Sequence, residues 1–485
     1  MNLCLIGHNF RYELEKLLRI FMPFEKIEFF ETEAFGKCYA ITEISGNTAK
    51  AVVNFFGETC ESEIELDDGG EKDKELKLAL CLYNCLTSLS GYTPQWGILT
   101  GVRPAKLYSR LISSKGVENA EDWFKNTLMV SDKKIKLCRE TLKGEGVITS
   151  LSRPDSFSLY ISVPFCPSRC SYCSFVSHSV ERSQKLIPQY VERLCEEITE
   201  TGKIARKLKL RLETVYIGGG TPTTLSAEQL TQVMNTVRDN FDLSCLREYT
   251  VEAGRPDTVT AEKLTAIKNG GATRISINPQ TMNNAVLETI GRRHTAEQTV
   301  EAFRLARSLG FNNINMDLIA GLPTDTSESF KDTVNQIIEL DPESVTVHSL
   351  SMKRSATLNT TGQLPEIQVG KIADKMVDFA NSTLSNNGIV PYYMYRQSKT
   401  VGNLENVGYA KKGYECLYNV YIMDETHTIL ACGASAVTKL KEPRGPYIER
   451  IFNFKYPYEY ISRFGEILSR KDGIYNFYEK FKEEL

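Results

Sequence analysis

The chain has 485 residues, enough for two or three domains, and its 58 Lys and Arg against 61 Asp and Glu leave a net charge of −3. That balance argues against bulk binding to nucleic acid or an anionic membrane, both of which need a basic excess. A hydrophobic fraction of 41% and a charged fraction of 25% belong to a soluble globular protein with a sizeable core.

The opening stretch, MNLCLIGHNFRYELEK, lacks the charged and apolar regions of a signal peptide. No run in the chain approaches the ~20 apolar residues that span a bilayer. Residues 1 to about 70 read as strands and turns (LCLIGH, KIEFFE, CYAITEI, AKAVVNFF), closed by Asp67-Asp68-Gly69-Gly70. From Glu71 the pattern turns helical, and Cys81 and Cys85, four apart on one face, read as small core residues. A loop with Gly91, Pro94 and Gly97 leads into WGILTGVRPAKLYSRL and further helix. The stretch from Lys143-Gly144-Glu145-Gly146 to Arg153-Pro154 reads as a linker, so residues 1–150 are expected to form an α+β domain. Thirteen cysteines, odd in number and scattered, point to free thiols in a reducing cytoplasm rather than a disulfide scaffold.

From Leu159 apolar runs (LYISV, TVYIG, YTVEA, RISIN, NINMDLIA, SVTVHSL) alternate with amphipathic helical segments. Ser226 with Gln229 and Thr295 with Gln298 have capping-box spacing. About six strand–helix repeats imply a parallel sheet with crossover helices, short of the eight of a full barrel. The expected fold class is α/β, a partial (β/α)6 barrel over residues 151–390, with its chemistry at the C-terminal ends of the strands. Residues 391–485, rich in Tyr and Phe, are expected to be a small C-terminal domain packed on its neighbour. The basic run from Lys203 to Arg211 reads as a solvated helix end.

After the first of these strands comes VPFCPSRCSYCSF, with three residues between Cys166 and Cys170 and two between Cys170 and Cys173. Structural zinc normally takes four ligands, often as two separated pairs, and no second pair follows. Three soft thiolates suit an iron–sulfur cluster that keeps one iron open. The motif, with Tyr172 before its last cysteine, resembles that of the radical S-adenosylmethionine (SAM) superfamily. The resemblance implies a 4Fe–4S cluster on Cys166, Cys170 and Cys173 whose open iron chelates SAM. One electron then cleaves SAM to methionine and a 5′-deoxyadenosyl radical.

The other strand ends extend the likeness. Gly218, Gly219 and Gly220 in YIGGGTPT let a ligand approach the backbone. Glu252 suits an ammonium, Arg292 a carboxylate, and Asp317 ribose hydroxyls; Gln280 ends the fourth strand. In order and spacing these match the oxygen-independent coproporphyrinogen III dehydrogenase family. The resemblance gives Gly219, Gly220, Thr221, Glu252, Gln280, Arg292 and Asp317 to SAM, with Tyr160 near the cofactor. GRRHT and DLIAGLP are typical of that family, and WGILTGVRPAKL, TVEAGRPDT, PYYMYRQ and GNLENVGYA resemble its HemZ-like branch.

Two positions depart from the family's bacterial dehydrogenases. They carry a cysteine where this chain has Phe175, and a histidine where it has Ser162. Members with Phe at the first place include haem chaperones and haem-degrading enzymes. The resemblance thus implies oxidative decarboxylation of coproporphyrinogen III to protoporphyrinogen IX, with a haem chaperone or a haem-degrading or methyl-transferring enzyme as alternatives. Implied partners are a small tetrapyrrole and an electron donor such as a flavodoxin or ferredoxin, with no nucleic acid and no membrane span, for a monomer. Arg396, Tyr393 and Tyr395 after the barrel and Arg103 and Lys106 before it are candidates for the substrate's carboxylates, against a reading as surface or interdomain contacts. His178 and His294 stand open between site and structural roles.

Overall fold

The computed structural model describes residues 1–23, 25–32, 36–173, 178–351, 366–397 and 399–482. The N-terminal part builds a five-stranded sheet from β1 (Asn2–Ile6), β2 (Glu28–Phe30), β3 (Cys38–Ser45), β4 (Thr48–Phe55) and β5 (Glu58–Glu65), in the order β2-β1-β3-β4-β5. The expectation of strands and turns alone missed α1 (Arg11–Phe21), whose Leu14, Leu17, Leu18 and Phe21 repeat at helical spacing and are buried. β5 falls within the stretch read as strands and turns, and its glutamates face outward from an edge strand. α2 (Glu71–Ser90) lies on this sheet. Cys81 and Cys85 are buried beneath it, and their thiols donate to the carbonyls of Ala49 (3.3 Å) and Ala51 (3.5 Å).

Three further helices follow: α3 (Pro104–Lys115), α4 (Val117–Asp122) and α5 (Asp132–Thr149). The linker read from 143 is a correction, because α5 runs through Gly144 and Gly146 and the chain turns only at 150–155. Gly144 signals close packing here rather than a break. A Cβ on it would stand 2.8 Å from the Tyr392 Cα, so its absence lets α5 lie against the strand that carries Tyr392.

The barrel strands are β6 (Ser156–Val163), β9 (Arg211–Gly219), β10 (Glu248–Glu252), β11 (Arg274–Ser276), β12 (Ile314–Ala320) and β13 (Ser344–Ser349), all parallel and adjacent in that order. Between β6 and β9 come a two-residue pair, β7 (Phe165–Cys166) with β8 (His178–Ser179), then α6 (Val180–Ser183) and α7 (Ile187–Lys207). The crossovers are α8 (Ala227–Asn240), α9 (Ala261–Asn269), α11 (Ala296–Ser308) and α12 (Ser327–Leu340), with α10 (Asn284–Thr289) before α11 and α13 (Glu366–Asn386) after β13. Ser226, Thr260, Thr295 and Thr326 each cap a helix by accepting the N–H three residues on, and the two expected capping boxes are both formed. Each cap contributes about 1 kcal/mol.

Residues from 391 do not form a sheet of their own. β14 (Val390–Arg396) and β15 (Glu405–Ala410) extend the barrel sheet beyond β13, while β16 (Thr428–Cys432), β17 (Val437–Lys441) and β18 (Ile448–Phe452) extend it beyond β6. The eleven-stranded sheet therefore runs straight through the boundary expected at 391. Between these two additions α14 (Leu417–Asp424) crosses the barrel at the strand starts. Its first turn is capped by Glu248 at the head of β10, which accepts from the N–H groups of Leu417 (2.7 Å) and Tyr418 (3.3 Å). α15 (Pro457–Ser462) and α16 (Phe464–Lys480) pack on α7. There Glu197 accepts from the Gly433 N–H, the Tyr460 hydroxyl, Asn453 and Lys471.

The N-terminal part is tied to the barrel by a buried cluster in which Glu405 accepts from Trp96 Nε1 (2.6 Å) and Lys134 Nζ (2.7 Å). No described helix is long and apolar enough to cross a membrane.

Candidate active site

The C-terminal strand ends open into one cavity of about 590 Å³. At its rim the chain leaves β6 through Val163 and Pro164 and turns into the cysteine segment. That segment is held from below by β9, where the Gly220 N–H donates to the Val163 carbonyl (2.8 Å) and the Thr221 N–H to that of Phe165 (2.8 Å). Gly219 has φ +110°, which a side chain would strain. A Cβ on Gly220 would stand 2.6 Å from the Phe165 oxygen and 3.0 Å from the Cys166 sulfur. Thr221 Oγ1 donates to that sulfur at 3.5 Å.

Cys166, Cys170 and Cys173 all line this cavity, and none of the described cysteines is in a disulfide. Two arginines, Arg255 buried and Arg292 half-buried, grip their loop. Arg255, three residues past Glu252, donates to Ser168 Oγ (3.0 Å), Ser168 O (3.4 Å) and Cys170 Sγ (3.6 Å), and pairs through two bonds with Asp257 (3.0 and 3.1 Å). Arg292 donates to the Tyr172 hydroxyl (2.9 Å) and to the carbonyls of Gly254 and Asn278 (3.4 and 3.5 Å). No carboxylate among the described residues pairs with Arg292 within 4 Å.

Glu252 ends β10 as expected and accepts from the Tyr216 hydroxyl at 2.6 Å. Burial pushes its carboxyl up to about 7; the Asp317 charge adds to this, while Tyr216, Arg274 and the Gly219 backbone oppose it. Asp317 behaves otherwise. Burial works against its charge, but His348, Asn315 and Arg274 together hold it below the usual carboxylate range. Asn315 donates to one of its oxygens (2.6 Å) and His348 Nε2 lies 3.9 Å from the other. Gln280 does not end its strand. It stands four residues past β11 with φ +70°, bridged to Leu318 of β12, with its N–H donating to the Asp317 carbonyl (2.9 Å). Tyr160 faces the cavity from β6 and stacks with Tyr216 and Tyr418 at ring separations of 6.3 and 6.0 Å.

The wall beyond Asp317 is built by β13, β14, β15 and α14. Tyr393 and Tyr395 line it, with Asn406, Asn419, Ile422 and Met423. Arg396 does not line it. Strand alternation turns its side chain to the other face of β14, where it is buried over Trp96 (5.3 Å). Arg103 and Lys106 are likewise structural here, joined to Glu425 and to the Asp424 carbonyl of α14. His294 is buried behind the Arg255–Asp257 pair, 3.9 Å from Asp257, and burial with the neighbouring Arg292 charge pushes it down to about 4, so the imidazole is neutral. The side chain of His178, and Phe175, fall outside the described residues.

Comparison with known proteins gives this arrangement its family. The profile of the radical SAM superfamily matches residues 160–337. The chain is 38% identical over 392 residues to the oxygen-independent coproporphyrinogen-III oxidase-like protein HemZ of Bacillus subtilis, covering 80% of this chain and 78% of that one. The chain belongs to the radical SAM superfamily, in its HemZ-like branch. It is also 33% identical over 289 residues to the heme chaperone HemW of Lactococcus lactis, covering 59% of this chain and 70% of that one. In fold it is similar to coproporphyrinogen III oxidase (HemN) from Escherichia coli, with a TM-score of 0.50 at 20% identity over 66% of this chain and 71% of that one.

The cofactors of this radical SAM protein are accordingly a 4Fe–4S cluster and SAM, and its residues fit both. Three thiols that line one cavity suit the ligand set of an iron–sulfur centre. Buried polar atoms without partners, Ser276 Oγ, Asn278 Oδ1, Arg274 Nε and Asn406 Nδ2, belong to residues of the same cavity, as a polar ligand requires.

The sequence reading missed Arg255, Arg274, Tyr216, His348 and Tyr418. A charge or a tyrosine inside an apolar parallel strand, as in RISIN and TVYIG, was the available signal for two of them, since such strands have both faces covered. Tyr418 carries no local signal, because only the crossing of α14 brings it to β6 and β9.

Proposed function

We propose that this protein is a radical SAM oxidoreductase that decarboxylates two propionate side chains of coproporphyrinogen III to vinyl groups, giving protoporphyrinogen IX. The observation that carries the reading is the single cavity that runs from the three cysteines to a wall of tyrosines and amides, in a chain similar to HemZ over most of its length. Cys166, Cys170 and Cys173 hold the cluster. Glu252 receives the ammonium of SAM, Arg292 its carboxylate and Asp317 its ribose, while Gly219, Gly220 and Thr221 form the backbone edge beneath it. Gln280 fixes the Asp317 strand, and Tyr160 with Tyr216 and Tyr418 closes the inner side against water. Bound together, cluster and SAM supply a 5′-deoxyadenosyl radical able to remove one hydrogen atom from the β-carbon of a propionate. Loss of CO2, with one electron passed to an external one-electron acceptor, would then complete each vinyl group. Tyr393, Tyr395, Asn406 and Asn419 face the macrocycle with hydroxyl and amide groups.

The test is anaerobic reconstitution with SAM, a reductant and coproporphyrinogen III, followed by mass spectrometry. Two successive losses of CO2 plus two hydrogens, with 5′-deoxyadenosine, support the proposal. Deoxyadenosine without those losses would move the chemistry to another tetrapyrrole. Tight haem binding with neither product would favour a chaperone, a reading supported by the similarity to HemW.

A further inference from the structure

Arg255 is placed unlike any other cation of the site. It is 4% exposed, and its guanidinium spends both terminal nitrogens on the cysteine loop, at Ser168 and at the sulfur of Cys170 (3.6 Å). Nε and Nη2 bind Asp257, which lies 3.9 Å from the buried His294. Arg255 is thus a buried cation with one terminal nitrogen on a cysteine sulfur, while its charge partner Asp257 reaches the surface. Arg292, the other arginine of the rim, is half-buried and donates to Tyr172 and to two carbonyls.

We propose that Arg255 sets the reduction potential of the iron–sulfur cluster by donating to the Cys170 sulfur. The inference rests on the reading that Cys166, Cys170 and Cys173 hold that cluster. Its physical basis is electrostatic. Reduction adds one electron and no proton to a centre already surrounded by thiolate charge, and hydrogen bonds to cluster sulfurs are among the main controls of potential. An N–H dipole and a cation directed at one sulfur stabilise the added charge, so they raise the potential and ease electron entry from a low-potential donor. A buried environment of low dielectric strengthens the effect. Simple anchoring of the loop would need only the Ser168 bonds; the bond to the Cys170 sulfur is what a tuning role adds.

The test compares wild type with Arg255→Lys, Arg255→Gln and the double variant Arg255→Gln/Asp257→Asn, all anaerobically reconstituted and assayed for iron. Each is titrated with dithionite and viologen mediators, following the loss of cluster absorbance and the spin-resonance signal of the reduced centre. At the potential where wild type is half reduced, the ratio of oxidised to reduced protein is expected to rise about tenfold in Arg255→Gln, a downward shift of about 59 mV for one electron. The double variant is expected to shift the same way, and Arg255→Lys less. A potential for Arg255→Gln equal to wild type overturns the proposal. So does a double variant that returns to the wild-type value, which would assign the shift to an uncompensated Asp257 charge. If no variant takes up a full cluster while wild type does, Arg255 serves assembly of the loop and the proposal fails. If wild type itself takes up no cluster, it is the cysteine assignment that fails.

Discussion

Gly220 offers the sharpest test of how the cysteine loop and the glycine strand fit together. In Gly220→Ala the new methyl would begin 2.6 Å from the Phe165 carbonyl oxygen and 3.0 Å from the Cys166 sulfur. Ordinary contact lies near about 3.5 Å, so the neighbours must retreat by about 0.5–1 Å. The carbonyl is not free to do so, because Phe165 is fully buried and its oxygen accepts the Thr221 N–H at 2.8 Å. The sulfur is then the group that yields, and metal sites tolerate ligand displacements of only about 0.2 Å. Overpacking of this kind costs about 1–3 kcal/mol, or about 5- to 150-fold in the population of the correct loop. We expect Gly220→Ala to lose iron on reconstitution and to bind SAM more weakly by a factor in that range, measured by iron analysis and anaerobic calorimetry. Gly146→Ala is the control, since a Cβ there meets nothing within 4 Å, and alanine within a helix stabilises by about 0.5–1 kcal/mol. Full iron content and unchanged SAM affinity in Gly220→Ala would refute the account of the close approach.

Three other outcomes follow from the same geometry. Because Glu252 is pushed up to about 7, its carboxylate gains charge as pH rises through that value, while an α-ammonium loses its proton at about 8, so SAM affinity should rise from pH 6 to a maximum between the two values and fall above; calorimetry of Glu252→Gln should show a weaker profile without the rise. Arg292→Lys removes a planar fork from a site that offers a carboxylate two donors, and SAM affinity should fall about 10- to 150-fold, with a smaller loss counting against a carboxylate role. Glu405→Ala leaves the buried Lys134 ammonium and the Trp96 indole N–H without their shared acceptor, and should destabilise the chain by about 3–5 kcal/mol in denaturant unfolding; a loss below about 1 kcal/mol would show that Asp378 alone suffices for Lys134.

Much of the barrel was legible because its signals are local. The repeat of strand and helix shows in runs such as TVYIG and YTVEA, and the caps at Ser226 and Thr295 mark helix starts within four residues. Glu252 falls at a strand end, where parallel strands bring their C-terminal ends to one side, while Asp317 stands in the middle of β12. What was not legible depends on long-range pairing. Nothing in PYYMYRQ says that it pairs beyond β13, or that THTILAC runs parallel to β6 at the opposite end of the sheet. The same blindness misplaced Arg396: without the register of β14 its side chain had no assigned face, and the alternation that puts Tyr393 and Tyr395 in the cavity puts Arg396 behind it. In α1 the fault was in the period chosen, because RYELEKLLRIF repeats its leucines at three and four residues rather than two.

A six-stranded parallel sheet has two open edges and an open base, whereas a closed barrel of eight has neither. This chain meets the need with the residues after 390. β14 and β15 cover one edge, β16 to β18 the other, and the connection between them must therefore cross from one edge to the other. It does so as α14, capped by Glu248 at the start of β10 and pinned by Arg247, which donates to the Tyr421 hydroxyl at 2.6 Å. That crossing sets Tyr418 face to face with Tyr216, at a ring separation of 4.5 Å, and puts Ile422 and Met423 along the cavity. Radical chemistry needs an interior from which water is excluded. The segment expected as a small C-terminal domain supplies the inner wall of that interior, so a truncation before α14 should cost the site that wall as well as the sheet its strands β16 to β18.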